Sequence, residues 1–356
     1  MSQKFTITKT VNPKVKPDTE GLKFGTVFSD HMFMMDYHIT KGWHNGRILP
    51  YGPIMLEPAA VVLHYAQEMF EGLKAYKAKD GRILLFRPEM NEKRTERTLE
   101  RLCIPPLPEG LMVEAIKALV GLDREWVPDK PGTSLYIRPF IFANEGFLGV
   151  RPANNYLFMI ILSPVGLYYA KGLTPTKIYV EDKYVRAALG GTGDAKIGAN
   201  YAISLKAQVE AQEKGFEQVL WLDGMERKYV EEIGTSNAFF LIGDEVITPP
   251  LLGTILPGIT RNSVLTLLKD WGYKVSERRI TIDEVFDGEK KGTLKEMWAT
   301  GTAAVISPVG ELMWKDKRII INNGEIGKLS QKLYDYIYGV QTGALEDRYS
   351  WTTEVL

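Results

Sequence analysis

Gly190-Gly191-Thr192-Gly193-Asp194-Ala195-Lys196-Ile197-Gly198-Ala199-Asn200-Tyr201 sets one lysine in a loop with four glycines, just ahead of a predicted helix. Glycine permits positive φ and lets a bulky group approach the backbone closely. A lysine presented that way, out of bulk water, can shed its proton and form a Schiff base with a carbonyl. Two nucleotide-binding patterns fail on the same residues. A P-loop counted from Gly190 needs glycine, lysine and then serine or threonine, where the chain has Ala195, Lys196 and Ile197. A dinucleotide fingerprint counted from Gly191 needs glycine where Lys196 stands.

Composition narrows the field around this loop. The 356 residues give room for two domains with substantial cores. Formal net charge is zero and no basic tract stands out, so nucleic acid is not an expected partner. The apolar run Tyr156–Leu162 is far short of a membrane span. Met1–Lys16 lacks the apolar core of a secretory signal, and the single cysteine, Cys103, excludes an internal disulfide. A reduced cytoplasm is the expected location. The four histidines, His31, His38, His44 and His64, include no i, i+4 pair, and no metal site is expected. A proton-transfer group in this chain is therefore sought in lysine rather than histidine.

Local patterns place the remaining elements. Ile83–Phe86 reads as a buried strand, and Pro88 starts a charged helix running to about Leu102. Gly132–Phe142 reads as a strand with Tyr136, Arg138 and Phe140 on one face and Leu135, Ile137 and Pro139 on the other. A strand over Tyr156–Leu162 should stop at Ser163-Pro164. The expected organisation is a smaller domain over 1–163, a linker over 164–175 and a larger domain over 176–356. In that second part, Lys177–Glu181 and Gln218–Leu222 read as strands flanking a helix from Tyr201 to Lys214, with Asn200 as N-cap and Gly215 at C′. Gly243-Asp244 marks a hairpin between Phe239–Ile242 and Glu245–Thr248. Leu329, Leu333, Ile337 and Val340 recur at helical spacing, so Lys328–Val340 should pack on a core.

Three further features suit an anionic, nitrogen-ring cofactor. Leu256-Pro257-Gly258-Ile259-Thr260-Arg261 leads into a helix whose first turn offers free N–H groups to a phosphate. Met297-Trp298-Ala299-Thr300-Gly301-Thr302-Ala303-Ala304 is a second small-residue turn with hydroxyl donors. Glu231-Glu232 offers a carboxylate for a ring nitrogen, or else one that is simply exposed at a strand end. Arg94, Arg97 and Arg101 lie at i, i+3 and i+7, interspersed with Glu92, Glu96 and Glu100, and their spacing alone reads as a solvated face. A reactive lysine, a phosphate cradle and a carboxylate for a pyridine nitrogen are jointly what pyridoxal 5'-phosphate requires.

Over nearly its whole length the chain resembles the branched-chain amino acid aminotransferases, fold-type IV pyridoxal phosphate enzymes. The motifs are Met69-Phe70-Glu71-Gly72-Leu73-Lys74-Ala75-Tyr76, Leu85-Phe86-Arg87-Pro88, Leu135-Tyr136-Ile137-Arg138-Pro139, the Lys196 loop, Glu232-Ile233-Gly234-Thr235 and Leu256-Pro257-Gly258-Ile259-Thr260-Arg261. The resemblance implies a two-domain α/β protein (mixed α+β) with the cofactor in the cleft between its domains. It implies reversible, ping-pong amino transfer between leucine, isoleucine or valine and 2-oxoglutarate. Lys196 would form the Schiff base with the cofactor and shuttle the substrate proton. Tyr201 would bond the ring hydroxyl, Glu232 would pair with the pyridine nitrogen, and Leu256 would be a further cofactor-binding residue. Arg97, the amides of Ile259 and Thr260 and the Thr302 hydroxyl would hold the phosphate, while Arg94 and Arg101 stay solvated.

The same resemblance assigns the substrate pocket to Phe24, Tyr65, Phe70, Tyr136, Val150 and Tyr168, with Arg138 for the second carboxylate of glutamate and Thr235 and Ala303 for the α-carboxylate. Tyr65 and Val150 would enter the site of a neighbouring subunit, which implies a homodimer. Two places depart from the family pattern. Ala304 and Ser307 replace a Cys-x-x-Cys that some relatives carry, and Ser236 stands where methionine is common. Rival readings are a D-amino acid aminotransferase, an aminodeoxychorismate lyase, and a non-catalytic pyridoxal phosphate-binding protein. The long N-terminal segment and the Tyr136-Ile137-Arg138 strand oppose the first two, and the intact set of Lys196, Tyr201 and Glu232 opposes the third.

Overall fold

A computed structural model describes residues 5–18, 22–166 and 173–355. The chain is a mixed α/β protein made of two compact units. One comprises Met1–Ala170, Lys196–Gly198 and Gly339–Leu356; the other comprises Lys171–Ala195 and Ala199–Tyr338. Lys196 and the C-terminal segment thus count with the first unit, whereas the sequence reading places everything beyond residue 176 in the second.

The first unit is built on a nine-stranded sheet. Its order is Thr6–Ile7, Gly42–Pro50, His31–His38, Asn155–Val165, Ser134–Ala143, Leu73–Lys77, Ile83–Phe86 and Thr352–Val355, with Glu68–Phe70 also paired to Ser134–Ala143. All pairings are antiparallel except that of Thr6–Ile7. The strand Asn155–Val165 runs past Pro164, where the sequence pattern predicts a stop. Its pairing with His31–His38 ends at Ile160, so the missing Pro164 N–H falls where only the Ser134–Ala143 side is bonded.

Two helices of this unit differ in what they bury. Leu111–Leu122 buries Leu111, Met112, Ala115, Ile116, Leu119 and Val120, an apolar stripe of the kind that seats a helix on a core. Pro88–Arg101 instead buries Asn91, Arg94, Thr95 and Thr98 beside Leu99. A buried polar stripe must find partners, and those partners mark the functional site.

The second unit carries a second nine-stranded sheet. Its order is Val230–Ile233, Gln218–Leu222, Thr176–Glu181, Val305–Trp314, Leu294–Gly301, Ser236–Ile242, Glu245–Thr248 and Lys274–Glu277, with Lys317–Ile320 on Val305–Trp314. Val230–Ile233 also pairs with Ser236–Ile242, which closes six of these strands into a ring. Ile178, Val180, Leu220, Leu222, Phe240, Ile247 and Leu312 form a continuous core. The hairpin at Gly243 forms as the sequence predicts, with Gly243 at φ +61°. Leu329, Leu333, Ile337 and Val340 of the helix Lys328–Gln341 are all buried.

The helix expected over Tyr201–Lys214 is broken in two, Gly198–Ala202 and Leu205–Glu213. Ser204 donates both its amide and its hydroxyl to the Tyr201 carbonyl, which ends the first piece. Asn200 is not a cap. Its amide nitrogen donates to the carbonyls of Thr192 and Ala195, and its oxygen accepts from the Thr192 hydroxyl, so it braces the glycine loop. Gly215 does take the left-handed C′ conformation, at φ +85°.

Candidate active site

In the first unit the site grows from one strand. Along the strand Ser134–Ala143, Phe140 is paired with Phe70 of Glu68–Phe70 and Tyr136 with Lys74 of Leu73–Lys77, and Gly72 stands in the link between those two short strands. Gly72 is needed there: a Cβ on it would collide with the Tyr136 hydroxyl. Arg138 donates to that hydroxyl at 3.1 Å, and its guanidinium lies 4.5 Å from the Phe70 ring centre. Its Nε is buried without a hydrogen-bond partner. Phe24 meets the Tyr136 ring edge-on at 4.8 Å.

Lys196 joins this group through its backbone and its amine. Its N–H donates to the Thr98 hydroxyl and its carbonyl accepts the Phe70 N–H. Nζ lies 4.8 Å over the Phe70 ring. Glu68 accepts the Gly198 amide, and a Cβ on Gly198 would strike that carboxylate. Burial pushes the Glu68 carboxyl upward despite this bond and despite Arg138. Burial, and next the Arg94 guanidinium, push the Lys196 amine down to about 8, with Glu71 pulling the other way and Arg138 adding to the fall. The shift alone does not single out Lys196, since burial takes Lys74 down to about 8 as well. What distinguishes Lys196 is the constellation of charged and aromatic groups around it.

Arg94 is the correction the structure makes to the sequence reading. It is buried, and it clamps Glu71 with Nε–Oε1 at 2.7 Å and Nη2–Oε2 at 2.8 Å. Asn91 donates to the same carboxylate at 2.8 Å. Burial alone would raise the Glu71 carboxyl, but Arg94, Lys196 and Asn91 hold it below the ordinary value. Arg97, expected at the phosphate, is exposed, as is Arg101. The solvated reading therefore fails for Arg94, and the arginine beside the reactive amine is Arg94.

The second unit gathers another set of the expected residues. Glu232 and Asn237 are cross-strand partners, and Asn237 is in turn opposite Thr300, so the three form a row on one face of the sheet. Glu232 is 1% exposed; it accepts from Asn237 at 3.0 Å and from the Leu256 amide at 3.2 Å, and it is paired to Arg186 Nε at 2.9 Å. The Asn237 amide also donates to the Leu256 carbonyl, which fixes the turn before the helix Ile259–Asp270. Gly258 is the N-cap of that helix, and a Cβ there would strike the Asn237 oxygen. The register carries Thr235 and Thr302 to the same end of the sheet, with Ala303 next to Thr302. Ser236 sits against Gly301, where a Cβ on the glycine would come within 2.9 Å of its hydroxyl.

Glu231, one residue along the strand, takes the Thr254 hydroxyl at 2.6 Å, and burial raises its carboxyl. Sequence reasoning missed Arg186 altogether. Tyr201 lies in the short helix Gly198–Ala202 and is half-buried. Tyr65 and Val150 are exposed, 44% and 86%, and the Tyr65 hydroxyl donates to the Leu148 carbonyl. Tyr168 lies outside the described residues. Among the described residues there is no cluster able to hold a metal ion, and no helix is long and apolar enough to cross a membrane.

The residues present fit pyridoxal phosphate. The first-turn amides of Ile259 and Thr260 have no helical acceptors to serve. The Thr300 hydroxyl is buried without a partner in the row of Glu232 and Asn237. An anion-binding turn, an unused donor and a carboxylate paired with an arginine are thus built around one end of one sheet.

Comparison with known proteins identifies the family. The family described as amino-transferase class IV matches residues 68–312. Branched-chain-amino-acid aminotransferase 2 of Bacillus subtilis is 57% identical over 353 residues, covering 99% of this chain and 97% of that protein. The crystal structure of the Escherichia coli branched-chain amino acid aminotransferase superposes with a TM-score of 0.76 at 25% identity, covering 92% of this chain and 99% of that one. The T.th. branched-chain amino acid aminotransferase, complexed with N-(5'-phosphopyridoxyl)-L-glutamate, superposes with a TM-score of 0.74 at 27% identity, covering 90% of this chain and 98% of that one.

Proposed function

Because the chain belongs to the class-IV aminotransferases, and within them to the branched-chain-amino-acid aminotransferases, we propose that it binds pyridoxal 5'-phosphate and exchanges the amino group of leucine, isoleucine or valine with 2-oxoglutarate. The observation that carries this reading is the Lys196 amine, lowered to about 8 among Phe70, Arg94, Glu71 and Arg138. When bound, the cofactor supplies an aldehyde for amine capture and a ring that draws electron density from the substrate α-carbon.

The chain's own residues do the rest. Lys196 Nζ, lowered to about 8, would hold the cofactor and would accept and return the α-proton. Glu232, bonded by Arg186, Asn237 and the Leu256 amide, would pair with the ring nitrogen. Tyr201 bonds the ring hydroxyl. The amides of Ile259 and Thr260 and the Thr302 hydroxyl hold the phosphate, with Arg94 in the place that the sequence reading gives to Arg97. Phe24, Phe70 and Tyr136 wall off water around an aliphatic side chain, and Tyr168 is assigned to the same wall. Arg138 binds the second carboxylate of glutamate, and Thr235 and Ala303 the α-carboxylate.

The exposed Tyr65 and Val150 support a homodimer in which each serves the other copy's site. The expected domains, 1–163 and 176–356, and a cytoplasmic location are part of the same proposal. The test is a coupled assay of amino transfer from L-leucine to 2-oxoglutarate, with D-alanine as the contrasting donor. Turnover with L-leucine and none with D-alanine supports the reading; the reverse overturns it in favour of the D-amino acid relatives.

A further inference from the structure

Arg186 has no place in the family motifs quoted above, yet it is 7% exposed and all three of its guanidinium nitrogens are engaged. Nε pairs with Glu232 at 2.9 Å. Nη1 donates to the Thr254 carbonyl at 2.9 Å and Nη2 to the Gly193 carbonyl at 3.2 Å. Gly193 lies three residues before Lys196, and its Cα faces the same Thr254 carbonyl so closely that a Cβ would collide with it. The Thr254 hydroxyl is in turn anchored on Glu231. One planar cation therefore ties the ring-nitrogen carboxylate to the backbone of the loop that presents the reactive amine.

We propose that Arg186 is a positioning residue that couples the charge of Glu232 to the placement of the Lys196 loop. This rests on the reading of Glu232 as the ring-nitrogen partner. A rigid five-donor fork suits the task, because lysine could supply the charge but not three divergent hydrogen bonds. A carboxylate facing both the ring and a permanent cation stays ionised, while the cation's field opposes protonation of neighbouring nitrogen. Its other two arms keep Gly193 against Thr254, so that the electrostatics of the ring and the geometry of the amine share one support.

The test compares holoenzymes carrying Arg186→Gln and Arg186→Lys with the parent, by two readouts. One is the pH midpoint of the visible band of the lysine-bound cofactor; the other is amide hydrogen exchange in residues 190–195. Arg186→Gln is expected to raise the midpoint by about one pH unit and to speed exchange in the loop by about tenfold or more. Arg186→Lys is expected to restore the midpoint while exchange stays fast. Movement of one readout alone in Arg186→Gln, movement of neither, or restoration of both by lysine overturns the coupling. If Arg186→Gln does not fold, Arg186→Lys decides: parent-like exchange overturns the proposal and fast exchange at an unchanged midpoint supports it. A parent protein with no visible band would instead sink the cofactor reading.

Discussion

At the residue scale, the instructive pair is Arg94 and Arg97. Both sit on one charged helix, and spacing alone gives neither an inward direction. The partner that decides is Glu71, 23 residues earlier and in the link between two strands, so only the tertiary structure reveals it. Arg94→Gln takes the bidentate guanidinium partner from a fully buried carboxylate, a loss of about 3–5 kcal/mol. Arg97→Gln, at an exposed position, should change stability by less than about 0.5 kcal/mol. Urea unfolding of both variants checks the contrast, and equal losses would refute it. Lys196 itself makes a pH prediction. Its amine is lowered from 10.5 to about 8, so the reactive neutral form grows as pH rises through about 8. The rate at which cofactor-free protein takes up pyridoxal phosphate should climb with a midpoint near pH 8, and a midpoint near 10 would contradict the burial argument. Arg138→Ala should lower kcat/KM for glutamate at least about tenfold more than for leucine, because only glutamate brings a second carboxylate. Equal losses would remove Arg138 from that role.

At the scale of elements, the strongest local signals were legible: the hairpin at Gly243, the helix from Pro88 and the face carrying Tyr136 and Arg138. Each follows from turn chemistry or periodicity within a dozen residues. What escaped were the places where a side chain serves a distant backbone. Asn200 looks like a helix cap, but three hydrogen bonds in the glycine loop claim it, and Ser204 breaks the helix that Asn200 was expected to start. Arg186 carries no motif because its partners stand at 193, 232 and 254. The glycines of the loop also differ in kind. Gly190 needs its positive φ of +76°, with open space around it, whereas Gly193 needs the absence of a Cβ. Gly190→Ala should therefore cost about 1 kcal/mol, and Gly193→Ala about 1–3 kcal/mol or more from forced displacement of the Thr254 carbonyl. Thermal unfolding ranks the two, and the opposite ranking would contradict the packing at Gly193.

At the scale of the whole molecule, the closing strand Thr352–Val355 pairs with Ile83–Phe86 across most of the chain's length, a contact that no local pattern announces. The exposed Tyr65 and Val150 make their own prediction about assembly. Lys196→Ala and Val150→Asp subunits, each inactive alone, should regain about a quarter of parental activity when mixed and allowed to exchange, since each mixed dimer holds one intact site. A mixture as inactive as its parts would contradict the exchange of side chains between copies. The central claim, that Lys196 holds a cofactor which takes the amino group of a branched-chain substrate, is tested most directly by the visible absorption of the purified protein before and after L-leucine is added without a keto-acid acceptor. The expected result is a visible band that leucine abolishes as the cofactor gains the amino group, with an equivalent of the leucine keto acid released. A band that leucine leaves untouched, or none after pyridoxal phosphate is supplied, would contradict it.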